Sequence, residues 1–252
     1  MLGLLNTVLS KGNTLLTYVK DGLVMANRFL TPPKLTFPVD ASAEFNGTSD
    51  YVQLPDPFSH TNHTIAAWVY VNDDINTKNI LDNREANDDG FLLCATSTEQ
   101  IRYSVNTSDL VTTSTYANEW VYSVGTYDGT TQKLYIDGSQ VLSATISETI
   151  STSTNALIGA RSHTSLSSYM NGNLANVAIW NRALSSDEIN SVMWKSYEGL
   201  EGAESNGLKA WYSLDDITSP AASLANMEQL ATDKNATIEN KAAITAAINA
   251  LS

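Results

Sequence analysis

From Phe45 to Leu214 one pattern recurs. A short run of β-branched and aromatic residues is followed by a turn signal, at intervals of about ten residues. That spacing is too short for helix bundles or βαβ crossovers. It specifies an all-β fold, an antiparallel β-sandwich of the jelly-roll kind. The clearest run, Thr64-Ile-Ala-Ala-Trp-Val-Tyr-Val, is apolar on both faces, so it belongs at the centre of a sandwich or along a groove. Glu119 to Tyr127 reads in the same way. Asp128-Gly129 and Asp137-Gly138 then suit tight hairpins, because Asp and Gly tolerate positive φ. Between them Leu134 and Ile136 point one way and Lys133 and Tyr135 the other.

One helix interrupts the strands. Ser185-Ser-Asp-Glu188 is a capping box, and Ile189, Val192 and Met193 form a single apolar stripe, which suits packing over an open sheet edge or end. A final strand is expected over Leu208–Leu214.

Two extensions flank the strand series. Residues 1–40 read as an N-terminal arm, residues 41–217 as the jelly roll, and residues 218–252 as a C-terminal extension ending in an alanine-rich helix. Pro32, Pro33 and Pro38 mark the first join. In the arm, Leu2, Leu5, Leu9, Leu16, Val19 and Leu23 recur at helical steps broken at Gly12. The arm reads either as a short helix or, from Thr14 to Val19, as an ordinary strand.

Charge limits the partners. The chain is formally −13 at pH 7. Lys11, Lys20, Arg28 and Lys34 leave the arm slightly basic, and the rest carries the acidic excess. Such a chain will not hold nucleic acid or an anionic membrane by bulk electrostatics. No apolar run reaches the length of a membrane span. The first residues lack a clean signal-peptide pattern, so a soluble protein that retains them is expected. Cys94, the single cysteine, excludes an internal disulfide, and its apolar strand setting suits an inert buried thiol. His60 and His63 sit in a polar turn and are expected at the surface.

Four blocks in fixed order resemble the concanavalin A-like, laminin-G-like jelly rolls: Ala43 to Pro55 with Thr64 to Val69, Trp120 to Gly129, Leu134 to Gly138, and Ala156 to Ile189. The strand Gly207-Leu-Lys-Ala-Trp-Tyr, which often opens the family's fold, stands here near the C-terminus. That arrangement resembles virion proteins of tailed bacteriophages. The resemblance implies a non-enzymatic structural protein of a virion, decorating a capsid or forming a tail or fibre appendage. Its partners would be other virion proteins and further copies of itself, and its jelly roll would contact glycans. The alternative is a secreted or surface bacterial carbohydrate-binding module. The glucanase arrangement Glu-x-Asp-x-x-Glu is missing, and the pairs Asp73-Asp74 and Asp88-Asp89 lie in loops, so hydrolysis is not expected. Trp68, Tyr70, Tyr103, Trp120, Tyr122 and Tyr127 are the candidate glycan-stacking residues. Asp215, Asp216 and Asp233 stand where the resemblance would place calcium ligands.

Overall fold

A computed structural model describes residues 6–10, 13–17, 42–54, 58, 60–85, 88–150, 156–161 and 165–214. The chain divides into two compact units, Met1–Phe37 and Pro38–Ser252. In the first, β1 (Asn6–Ser10) and β2 (Asn13–Thr17) pair antiparallel, with Ser10 opposite Asn13. Over Asn13–Thr17 the arm thus takes the strand alternative read for Thr14 to Val19, with β1 as its pairing partner. The remainder of the arm and the C-terminal helix expected before Ser252 lie outside the described residues.

The second unit begins with β3 (Ala43–Asn46), β4 (Val52–Gln53), β5 (His63–Val71), β6 (Lys78–Asp82) and β7 (Phe91–Ala95). It continues with β8 (Ile101–Val105), β9 (Ser108–Val111), β10 (Trp120–Tyr127), β11 (Thr131–Ile136) and β12 (Ser139–Thr145). Then come β13 (Leu157–Ile158), β14 (Asn171–Trp180), helix α1 (Ser186–Val192) and β15 (Leu208–Tyr212). These strands build two antiparallel sheets. The larger has the order β12-β11-β10-β5-β14-β15, with β3 also paired to β14, and the smaller is β4-β13-β6-β7-β8-β9. The sandwich expected from the turn spacing is thus the fold observed, with β5 central in its sheet.

Alternation along each strand decides which side chains meet between the sheets. From β5, Ile65, Ala67, Val69 and Val71 face inward. They join Leu134 and Ile136 of β11, Leu174, Val177 and Ile179 of β14, and Phe91, Leu93, Ile101, Tyr103 and Val105 of the opposing sheet. At Gly125 of β10 this interior admits no side chain. A Cβ there would stand 2.3 Å from the Tyr103 ring, so the glycine lets that ring lie against the backbone of the facing sheet. The β11–β12 hairpin turns on Asp137 and Gly138, both at positive φ, and the Asp137 carboxylate accepts a 2.8 Å hydrogen bond from the Tyr122 amide.

Helix α1 does not sit at a sheet edge or end, as its sequence suggested. It lies over the outer face of the larger sheet. The Trp68 indole N–H donates to the Met193 carbonyl at 2.9 Å, and Asn190 donates to the Gly138 carbonyl at 3.2 Å. At its start, the Thr64 hydroxyl donates to the Arg182 carbonyl and accepts from the Leu184 amide. Small Ala66 and Ala178, paired neighbours on that outer face, are both buried and leave the room that the helix needs. The helix is placed there because two rows of the sheet, at Thr64 and Trp68, offer it polar anchors.

Candidate functional site

The six aromatic residues singled out from sequence separate by face and by cover. Tyr103 and Tyr127 point into the core and are fully buried. They pack around His63, whose ring stacks on Phe91 at 4.1 Å. The His63 Nδ1–H donates to the Thr61 carbonyl, so Nε2 accepts from the Tyr103 hydroxyl at 2.7 Å. Tyr127 donates to the Glu148 carbonyl. Burial pushes the Tyr103 hydroxyl well up and holds His63 down at about 4. These rings complete the interior and offer no face to a ligand. The surface placement expected for His63 is corrected with them, because it opens β5 on the inward side.

Trp68 and Tyr122 lie on the outer face but are also buried. They are paired residues on adjacent strands, 5.3 Å apart between ring centroids, and Trp194 covers Trp68 at 5.0 Å. The helix and the segment after it form the cover, so these two rings are corrected from ligand platform to structural packing. Trp194, which sequence reasoning did not single out, remains 41% exposed at the margin of that cover.

Tyr70 and Trp120 remain. They are directly paired across β5 and β10, with ring centroids 5.7 Å apart, and both are half-buried. The same register continues outward from Tyr70 to Asn173 of β14 and from Asn173 to Glu44 of β3. Directly paired residues share a face. The row Trp120–Tyr70–Asn173–Glu44 therefore presents two rings, an amide and a carboxylate side by side. Just past the end of β5, Asn72 donates to the Asn171 side-chain oxygen at 2.8 Å, and Asn171 donates to Asp74 at 2.6 Å. A hydrogen-bonded polar rim thus stands beside the aromatic pair. The helix covers the rows of Thr64, Ala66 and Trp68 and ends before this one. Neither Asn173 nor Glu44 is marked by the local sequence, since only the strand register brings them into line with Tyr70.

The acidic pairs are engaged elsewhere. Asp74 binds Lys78, whose fully buried ammonium also reaches Glu99 and the carbonyls of Asp74 and Asn76. Asp88 pairs with Arg84 and with Arg161, each at 2.9 Å. Cys94 is buried in β7 as expected, and burial pushes its thiol up. Among the described residues no three His, Cys, Asp or Glu side chains gather so as to hold a metal ion. Asp215, Asp216 and Asp233 lie outside the described residues.

Comparison with known proteins agrees with this architecture. The family model of the concanavalin A-like lectin/glucanases superfamily matches residues 46–190. Among solved structures, a Bacteroides ovatus protein described as a candidate carbohydrate-binding protein is similar with a TM-score of 0.59 and 16% identity. The match covers 72% of this chain and 53% of that one, so it spans about half the length of the Bacteroides protein. The CBM40 module of the Ruminococcus gnavus IT-sialidase is similar with a TM-score of 0.52 and 15% identity, covering 62% of this chain and 98% of that one. No curated protein matches the chain by sequence.

Proposed function

The chain belongs to the concanavalin A-like lectin/glucanases superfamily, and on that premise we propose that it is a non-catalytic glycan-binding module working at an extracellular or surface-exposed location. The observation that carries this reading is the part-exposed row Trp120–Tyr70–Asn173–Glu44, which lies beyond the helix on the outer face of the larger sheet. A pyranose ring presents an apolar C–H face and a rim of hydroxyls. The two rings would stack on the former, and Asn173 and Glu44 would exchange hydrogen bonds with the latter. Likeness of fold to the candidate carbohydrate-binding protein of Bacteroides ovatus and to the Ruminococcus gnavus CBM40 module supports the reading by analogy.

The non-catalytic part draws support from the engaged carboxylates. Glycoside hydrolysis needs one protonated and one ionised carboxyl across an open bond. Asp74 and Asp88 are each paired with cations instead.

Calorimetric titration with neutral oligosaccharides tests the proposal. Trp120→Ala and Tyr70→Ala should each weaken binding by about 1 kcal/mol, roughly fivefold, with the melting temperature little changed. Unchanged affinity in both variants would remove the row from the account.

A second reading places the module on a bacteriophage virion, as a homo-oligomeric capsid or tail component. The division of the chain at Phe37 favours it, because the slightly basic first unit is separate from the acidic sandwich and so is suited to docking. Calcium bound through Asp215, Asp216 and Asp233 remains part of the proposal, and a chelator should then lower the melting temperature.

A further inference from the structure

The outer face of the smaller sheet carries a cluster that the glycan-stacking row does not use. Two ladder rows cross it. One runs Asn79–Cys94–Arg102–Val111 and the other Asp82–Leu92–Ser104–Asp109. Arg84 folds back over the second row. Its Nε donates to Asp82 at 3.2 Å, its backbone N–H donates to the same carboxylate at 3.0 Å, and Asn79 supplies a third donor at 2.8 Å. Asp82 is thereby saturated. Asp88, at φ +60° in the loop that leads to β7, then ties Arg84 to Arg161. Two guanidiniums, of Arg84 and Arg161, thus gather around one carboxylate, and Arg102 stands on the same outer face beside Asp109.

Their hydrogen-bonding capacity is not used up. Arg102 donates from Nε to the Cys94 sulfur at 3.3 Å, and its Nη1 comes no closer than 3.6 Å to Asp109. Its two terminal nitrogens have no hydrogen-bond partner among the described residues. Among the described residues, Arg161 uses only Nη2 of its side-chain nitrogens, toward Asp88. Both side chains reach the surface, 27% and 33% exposed, as do Asp88 and Asp109. Spare guanidinium donors in a planar fork match a carboxylate, and two part-exposed carboxylates beside them match hydroxyl donors.

We propose that this face is a second binding site, for a small polyhydroxylated acid such as a hexuronate or N-acetylneuraminate, with Arg102 and Arg161 receiving the ligand carboxylate and Asp88 and Asp109 accepting from its hydroxyls. The overall charge decides against a polyanion. A chain of −13 repels extended anionic polymers at long range, whereas a monoanion held at contact distance meets the local guanidiniums first. The site lies on the opposite sheet from Tyr70 and Trp120, so it stands or falls independently of the neutral-glycan reading.

The test is calorimetric titration of the full chain with glucuronate, galacturonate and N-acetylneuraminate, beside glucose and galactose as neutral counterparts. At least one acid should bind at least tenfold more tightly than the neutral sugars. Arg161→Gln and Arg102→Gln should each weaken it tenfold or more, and Trp120→Ala should leave it unchanged. Arg161 is the more exposed of the two, so Arg161→Gln decides the matter if Arg102→Gln fails to fold. Equal affinity for acids and neutral sugars, indifference to Arg161→Gln, or loss only in Trp120→Ala would overturn the proposal, as would failure of all three acids to bind.

Discussion

His63 shows how a single residue sets a condition on the whole sandwich. Its ring is neutral in the core, donating to Thr61 and accepting from Tyr103, and burial holds it at about 4 against an ordinary value of 6.5. The unfolded chain therefore takes up the proton first as pH falls. Stability should be full above about pH 6.5, decline between 6.5 and 4, and level off below that, with a loss on the order of 3 kcal/mol from this group. Denaturant melts at pH 7, 5.5 and 4 should show the decline, and His63→Phe should flatten that part of the profile while costing stability at pH 7. Gly125→Ala tests the same region by volume. The new methyl meets the Tyr103 ring, and a loss of about 1–3 kcal/mol is expected in equilibrium unfolding.

Helix α1 holds the aromatic layer in place. Both arms of its capping box form: Ser185 Oγ accepts from the Glu188 amide at 3.3 Å, and Glu188 accepts from the Ser185 amide at 2.8 Å. Arg182 donates to Glu188 and, with Ser185, holds its carboxyl down at about 2. Ser185→Ala should cost about 1 kcal/mol in denaturant unfolding. The box was legible because its signal spans four residues. The hairpins at Asp128 and Asp137 were legible for the same reason, and so was the alternation of Leu134 and Ile136. Which aromatics stay accessible was not legible. Trp68 and Tyr70 stand two apart on one face of β5, and the helix end with Trp194, more than a hundred residues later, buries the first and leaves the second half-buried. Asn173 and Glu44 join Tyr70 through register alone. Arg84, Arg102 and Arg161 come from three separate segments that nothing local connects before the smaller sheet assembles.

At the scale of the molecule, a family sandwich presents an aromatic row on one outer face and a charged cluster on the other. A second, slightly basic unit precedes it. Because Met1–Phe37 is a compact unit of its own, a chain lacking those residues should melt as the sandwich does in the full chain. On the virion reading, that shortened chain should lose its association with particles. The central claim is that neutral glycans bind on the part-exposed row. Chemical-shift mapping of the labelled protein during titration with the tightest-binding neutral oligosaccharide tests it most directly. The account predicts saturable shifts of the Trp120 indole N–H and the Asn173 side-chain amide, with the buried Trp180 indole unmoved. Saturable shifts confined to other surfaces, or none at any of these groups, would contradict it.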